Sequence, residues 1–156
     1  MRSGAAVCEL DVDPETGSLS FVRDTSVDDV GVAVNPMILH GQTHGGIAQG
    51  VGQALMEQCW YDAKDGQNLS ASFMDYAMLR ASDLPSFTTD LSEVAANSHP
   101  HGMRPGGEGG TTPALGLTIN AIVDALADLG VAHIEMPATP HKIWQAIQAA
   151  KQRQAS

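Results

Sequence analysis

Between Arg104 and Pro113 the chain reads Arg-Pro-Gly-Gly-Glu-Gly-Gly-Thr-Thr-Pro, a stretch that no regular strand or helix crosses unbroken. Each glycine gives the backbone access to conformations closed to other residues, and the two prolines fix φ at the borders. The prolines keep the stretch from merging into a neighbouring helix or strand, and an apolar helical pattern starts just after it. One carboxylate, Glu108, stands among four glycines and is presented by backbone rather than by packed neighbours. On these residues alone two readings are open: a solvated surface turn, or a carboxylate held out for chemistry.

A second glycine-rich segment lies upstream. Ile47, Val51, Ala54, Leu55 and Gln58 follow helical spacing, which predicts a helix from about Thr43 to Gln58, after a stop and turn at Asn35-Pro36. The glycines at 45, 46, 50 and 52 each cost such a helix about 1 kcal/mol relative to alanine, so something should press against its backbone. Gly46 and Gly50 fall on one face. Free amide groups at the start of this helix would favour an anion such as a phosphate. Close helix packing explains the same glycines equally well. His40 and His44 share helical spacing but have no third ligand near them in sequence, so a metal pair is not the expected reading.

Around these two segments the pattern is that of strands and helices in mixed order. Residues 5–12 and 19–27 are strands around the turn Asp13-Pro14-Glu15-Thr16-Gly17-Ser18, making a hairpin. Asp28 and Asp29 are adjacent, so their side chains point to opposite faces of a strand. A third strand is expected over 87–95, and His99 and His101 read as solvated loop residues. A helix runs from Pro113 to Leu129 with Gly130 as its cap, followed by a short strand at 131–134. A last helix has Thr139 as N-cap and Pro140 in its first turn, with Ile143, Trp144 and Ile147 as its apolar face and residues 151–156 as a frayed tail. The fold class is α+β: mixed strands with two or three packed helices, in a single partial domain spanning 1–156.

The length of 156 residues suits one domain with a real core. A net charge of −10 argues against nucleic acid or an anionic membrane as the main partner. Cys8 and Cys59 form no CxxC pair and are expected to be reduced and buried. With no signal peptide visible and no apolar run of membrane-spanning length, the expected location is the cytoplasm.

These pieces, in this order, resemble the C-terminal portion of a molybdenum hydroxylase large subunit. The family is that of xanthine dehydrogenase and aldehyde oxidase, and the closest likeness is to its carbon-monoxide-dehydrogenase-large-subunit-like branch. The motifs are Val27-Asp28-Asp29-Val30-Gly31 with Asn35-Pro36, Gly41-Gln42-Thr43-His44-Gly45-Gly46 running on to Ala54, and Ser72-Phe73-Met74-Asp75-Tyr76. The Gly107-Glu108-Gly109-Gly110 loop and Met136-Pro137-Ala138-Thr139-Pro140 complete the set. The resemblance implies the fold of the C-terminal molybdopterin-binding domain. It implies that Glu108 is the general base beside molybdenum, poised by partial desolvation, in oxidative hydroxylation of a small carbonyl, heterocyclic or CO-type substrate. It implies that Gln42, Gly45, Gly46, Gln49, Gly50, Gly107 and Gly109 line a molybdopterin in its cytosine dinucleotide form, and that no side chain of this chain ligates the metal. Iron–sulfur clusters and FAD would sit on partner subunits, alongside the remaining part of the large subunit, and the chain alone is not expected to turn over. A non-catalytic assembly module, or a remnant without cofactor, is the alternative.

Overall fold

The computed structural model describes residues 3–154. A hairpin of β1 (Ser3–Val12) and β2 (Leu19–Asp29) opens the chain. Its turn is held by Asp13, whose carboxylate accepts from the Glu15 amide at 2.9 Å and the Thr16 hydroxyl at 2.7 Å, while Gly17 takes φ +73°. β3 (Thr88–Ser92) adds to β2 in parallel, giving a three-stranded mixed sheet in the order β1-β2-β3. The α1 helix (Pro36–Leu55) lies in the connection between β2 and β3. The α2 helix (Thr111–Ala125) and the α3 helix (Pro140–Gln154) complete the fold.

The hairpin register carries one irregularity. Glu9 pairs with Arg23 but Leu10 pairs with Phe21, so Val22 is an extra residue in β2. One extra residue switches which side chains face inward. Before it, Leu19 and Phe21 pack toward the core; after it, Asp24, Ser26 and Asp28 are the buried positions, and Val22 and Val27 face outward.

The core joins Ile47, Val51, Ala54 and Leu55 of α1 to Ala114 and Ile122 of α2 and to Ile143, Ile147 and Ala150 of α3. The α3 stripe follows helical spacing, but Trp144 is 38 % exposed, so Ala150 rather than Trp144 completes it. α3 runs through Gln154, and of the expected frayed tail residues 155 and 156 lie outside the described residues. Gly130 takes φ +81° as expected of a C-cap, closing a short 3-10 turn at Ala127–Leu129.

Three further expectations change. Asn35-Pro36 is the start of α1 and not a turn before a helix beginning at about Thr43: the Asn35 side chain accepts from the Ile38 amide at 3.2 Å and Pro36 occupies the first turn. Residues 131–134 form no strand, although Val131 and Ile134 are buried in the core. Cys8 is half-buried and Cys59 is exposed, so neither thiol is sealed in the core. Among the described residues, no helix is long and apolar enough to cross a membrane.

Candidate active site

The two glycine-rich segments meet. Gly46 and Gly50 of α1 lie against the first turns of α2: a Cβ on Gly46 would stand 2.9 Å from the Thr111 nitrogen, and one on Gly50 would stand 2.7 Å from the Ala114 Cβ. Gly110 in turn abuts the Thr43 carbonyl. These glycines permit two helices to touch backbone to backbone, which accounts for the residue type at 46 and 50 without a ligand. Both are buried by protein. Residues 43–46 lie inside α1 rather than at its start, so they offer no free helix-start amides to an anion.

Gly45 is different. It points away from α2 into open space, as does Gly41 one turn earlier. Gly41 is absent from the residues that the family resemblance places on the cofactor, although its spacing from Gly45 is a usable signal. Between this open face and α2 lie Gln42 and Gln49. Gln42 donates from Nε2 to the Gly107 carbonyl at 2.7 Å, and Gln49 accepts from the Thr111 hydroxyl at 3.4 Å. Both glutamines therefore brace the Glu108 segment against α1.

That segment is more ordered than a free loop. The Thr112 amide donates to the Glu108 carbonyl at 3.2 Å and the Ala114 amide to that of Gly110 at 3.4 Å, so the chain winds into α2 from Glu108 onward. A carboxylate at a helix N-terminus is favourably placed against the helix dipole. Glu108 itself is exposed, and this chain does not supply the partial desolvation expected of it. Gly107 beside it is open, with no atom where a Cβ would stand. Upstream, Arg104 Nε approaches Asp29 at 3.3 Å, charge to charge rather than as a directed hydrogen bond, and anchors the stretch to the end of β2.

His40 and His44 both reach Thr89 of β3, at 2.7 and 3.1 Å from its hydroxyl, and His44 also meets Phe87 edge-on. They fasten α1 to the sheet. His99 and His101 are exposed, as expected. No group of three metal-ligating side chains occurs among the described residues.

Behind Glu108 is a cavity of about 670 Å³. Its walls are the start of β1, the Pro105–Gly110 stretch, the start of α2, and Asp24, Ser26 and Asp28 of β2. Burial raises the Asp24 carboxyl from its ordinary 3.8 to about 6. The Cys8 thiol is pushed up to about 12 by its own burial and by the nearby Asp24 charge.

Residues 1–85 match the molybdopterin cofactor-binding domain family, more than half of the chain. The chain belongs to that family. It is 34 % identical over 144 residues to the carbon monoxide dehydrogenase large chain of Hydrogenophaga pseudoflava, covering 92 % of this chain and 18 % of that one. It is 37 % identical over 145 residues to the nicotine 6-hydroxylase large subunit of Paenarthrobacter nicotinovorans, again covering 92 % of this chain and 18 % of the relative. Its fold superposes on the reconstituted CO dehydrogenase from Oligotropha carboxidovorans with a TM-score of 0.91 and 33 % identity, covering 97 % of this chain and 19 % of that one. The chain thus spans under a fifth of the length of these relatives. The α+β architecture and the molybdopterin-binding class both stand on this match.

Proposed function

We propose that this chain is the part of a molybdenum hydroxylase large subunit that carries the proton-accepting carboxylate, Glu108, and one wall of the molybdopterin site. The observation that supports this most directly is the bracing of Gly107 by Gln42. It couples the exposed Glu108 to the one face of α1 whose glycines, Gly41 and Gly45, are open. Bare backbone on that face and at Gly107 fits a flat cofactor rich in hydrogen-bonding groups approaching closely. When bound, the molybdopterin would supply the two-electron redox chemistry.

The chain's own residues have simpler tasks. Glu108 Oε accepts a proton during hydroxylation; the Gly107 and Gly109 backbone sets its position; Gln42 and Gln49 keep that backbone from swinging away from α1. Removing water from Glu108 falls to the remainder of the large subunit, as does completing the cofactor wall. The large exposed apolar side chains Phe73, Met74, Met37 and Ile38 are consistent with further protein covering this unit. The names of the relatives, a large chain and a large subunit, support assembly with further subunits, and we assign the iron–sulfur clusters and FAD to those. The carbon monoxide dehydrogenase relatives support the cytosine dinucleotide form of the cofactor.

The test is to co-purify the chain with the products of neighbouring genes, and to assay molybdenum, cytidine nucleotide and hydroxylation of a substrate panel, for wild type and Glu108→Gln. Loss of a general base typically lowers the rate by roughly 10²–10⁴-fold. Glu108→Gln should lose activity in that range while keeping molybdenum and nucleotide. Unchanged turnover by Glu108→Gln removes the base, and recovery of assembled complex without molybdenum removes the cofactor reading.

A further inference from the structure

The inward polar face of β2 has no counterpart in the function proposed above. Asp24 is 2 % exposed and Ser26 6 % exposed, yet Asp24 Oδ1 and Ser26 Oγ are buried without a hydrogen-bond partner, and both residues line the 670 Å³ cavity. Buried polar atoms are nearly always paired, so two orphans on neighbouring residues of one cavity wall indicate a missing partner, which a small turn of either side chain would admit. The extra residue at Val22 is what turns them inward; without it Val27 would face the cavity and these groups would face water.

The chemistry of the missing partner follows from the lining. Asp28 lies two residues beyond Ser26 on the same face, and Glu108 closes the opposite side, so three carboxylates border the cavity together with the hydroxyl residues Ser3, Ser26 and Thr112. Among the described residues, the lining includes no lysine, arginine or histidine. Arg104, nearby in sequence, is engaged with Asp29. The aliphatic remainder, from Ala5, Ala6, Ile47, Ala114 and Leu117, suits the carbon stem behind a charged head. A metal ion is a poorer match, since no group of three His, Cys, Asp or Glu side chains among the described residues comes together to ligate one.

We propose that this cavity is a binding site for an organic cation, a guanidinium or alkylammonium group, whose N–H donors pair with Asp24 Oδ1 and Ser26 Oγ. A planar guanidinium offers donors in a fork that can meet both acceptors at once. Ionised Asp24 is costly to bury alone and is stabilised by the bound charge. The head group could belong to a free ligand or to a basic side chain from the rest of the large subunit, and the chemistry is the same for both. This inference rests on β2 and the cavity and does not depend on Glu108 acting as a base.

The test is a two-dimensional NMR titration of the chain with methylguanidinium chloride at low millimolar concentration, well below denaturing levels, with sodium chloride and tetramethylammonium chloride as controls. Saturable shifts are expected at Ser26, Asp28 and Gly109 with methylguanidinium, and not with the controls, which offer no N–H donor. Asp24→Asn, nearly isosteric, should weaken binding at least tenfold, and Ser26→Ala should weaken it less. No saturable response, or equal responses from tetramethylammonium or from Asp24→Asn, overturns the site. Repeating the titration on the subunit completed with its remaining polypeptide assigns the source. A retained response marks a free-ligand site; a lost response, with the wild-type chain alone still responding, marks a site filled by a side chain of the subunit. Molybdenum content is unaffected in either case, so this outcome and that of the cofactor test are read separately.

Discussion

Two glycines five residues apart in α1 should respond to the same substitution with opposite signs. Alanine is better than glycine in a helix interior by about 0.5–1 kcal/mol, and this gain is available to both Gly45→Ala and Gly50→Ala. At Gly45 nothing lies within 4 Å of the new Cβ, so the gain should be realised in full. At Gly50 the Cβ would meet the Ala114 Cβ at 2.7 Å and the Thr111 carbonyl oxygen at 2.8 Å, and neither can swing aside without moving α2. Overpacking of that kind costs about 1–3 kcal/mol. Because the propensity gain is common, the difference between the two variants isolates the contact cost, about 1–3 kcal/mol. In a chain of this size that corresponds to a separation in Tm of roughly 2–12 °C. Urea denaturation followed by circular dichroism measures it, with equal slopes required for the comparison. Equal stabilisation by both substitutions would show that α1 and α2 do not touch as described, and the division of the glycines into a packed face and an open face would fall with it. The open face carries a second consequence: Gly45→Ala should lower molybdopterin retention in the assembled enzyme although it stabilises the fold.

Other expectations can be checked on the same material. Asp24 has a folded pKa near 6 against 3.8 unfolded, so the folded state holds an extra proton between those values and stability falls as pH rises from about 4 to about 6. The limit is about 3 kcal/mol, reduced by water entering the neighbouring cavity, and Asp24→Asn should abolish that segment of the pH–stability curve; an unchanged curve refutes the burial of Asp24. Gln42→Ala removes one hydrogen bond to Gly107 and should destabilise by about 0.5–1.5 kcal/mol, with faster amide exchange at Gly107 to Gly110 as the specific signature. A thiol reagent at mildly alkaline pH should label Cys59 promptly and Cys8 much more slowly, since Cys59 is exposed while partial burial and the Asp24 charge hold the Cys8 thiol near 12. Prompt labelling of both would contradict the placement of β1 on the core.

Local chemistry is legible where a residue type has one common use. Asp13 with Gly17 announces the hairpin, and Thr139-Pro140 the start of α3, whose Lys142 amide reaches the Thr139 hydroxyl at 3.4 Å. Asn35-Pro36 misleads because the same pair serves both as a breaker and as an N-cap with proline in the first turn; only the residues downstream decide between them. The short run at 131–134 reads as a strand, but a strand needs a ladder partner, and pairing is not encoded in the run itself. The glycine-rich helix shows the limit most clearly. Spacing places Gly46 and Gly50 on one face, yet whether protein or ligand covers that face depends on α2, some 60 residues away, and no local pattern carries that information. For Glu108 the sequence locates the residue and its glycines, while its bracing by Gln42 emerges only from the packing. The inward turn of Asp24 and Ser26 depends on one unpaired residue in β2, which alternation alone cannot register.

The link from Gln42 to Gly107 also orders events in time. The β1–β2 hairpin closes through contacts local in sequence, so it can form early and without the rest of the chain. Glu108 gains its support only after a loop of 65 residues has closed and α2 has docked on α1. A newly made chain would therefore possess its hairpin well before it possesses a fixed carboxylate. Any cofactor waiting to be inserted would meet a mobile Glu108 first and a braced one afterwards, which makes the docking of α2 a natural checkpoint in maturation.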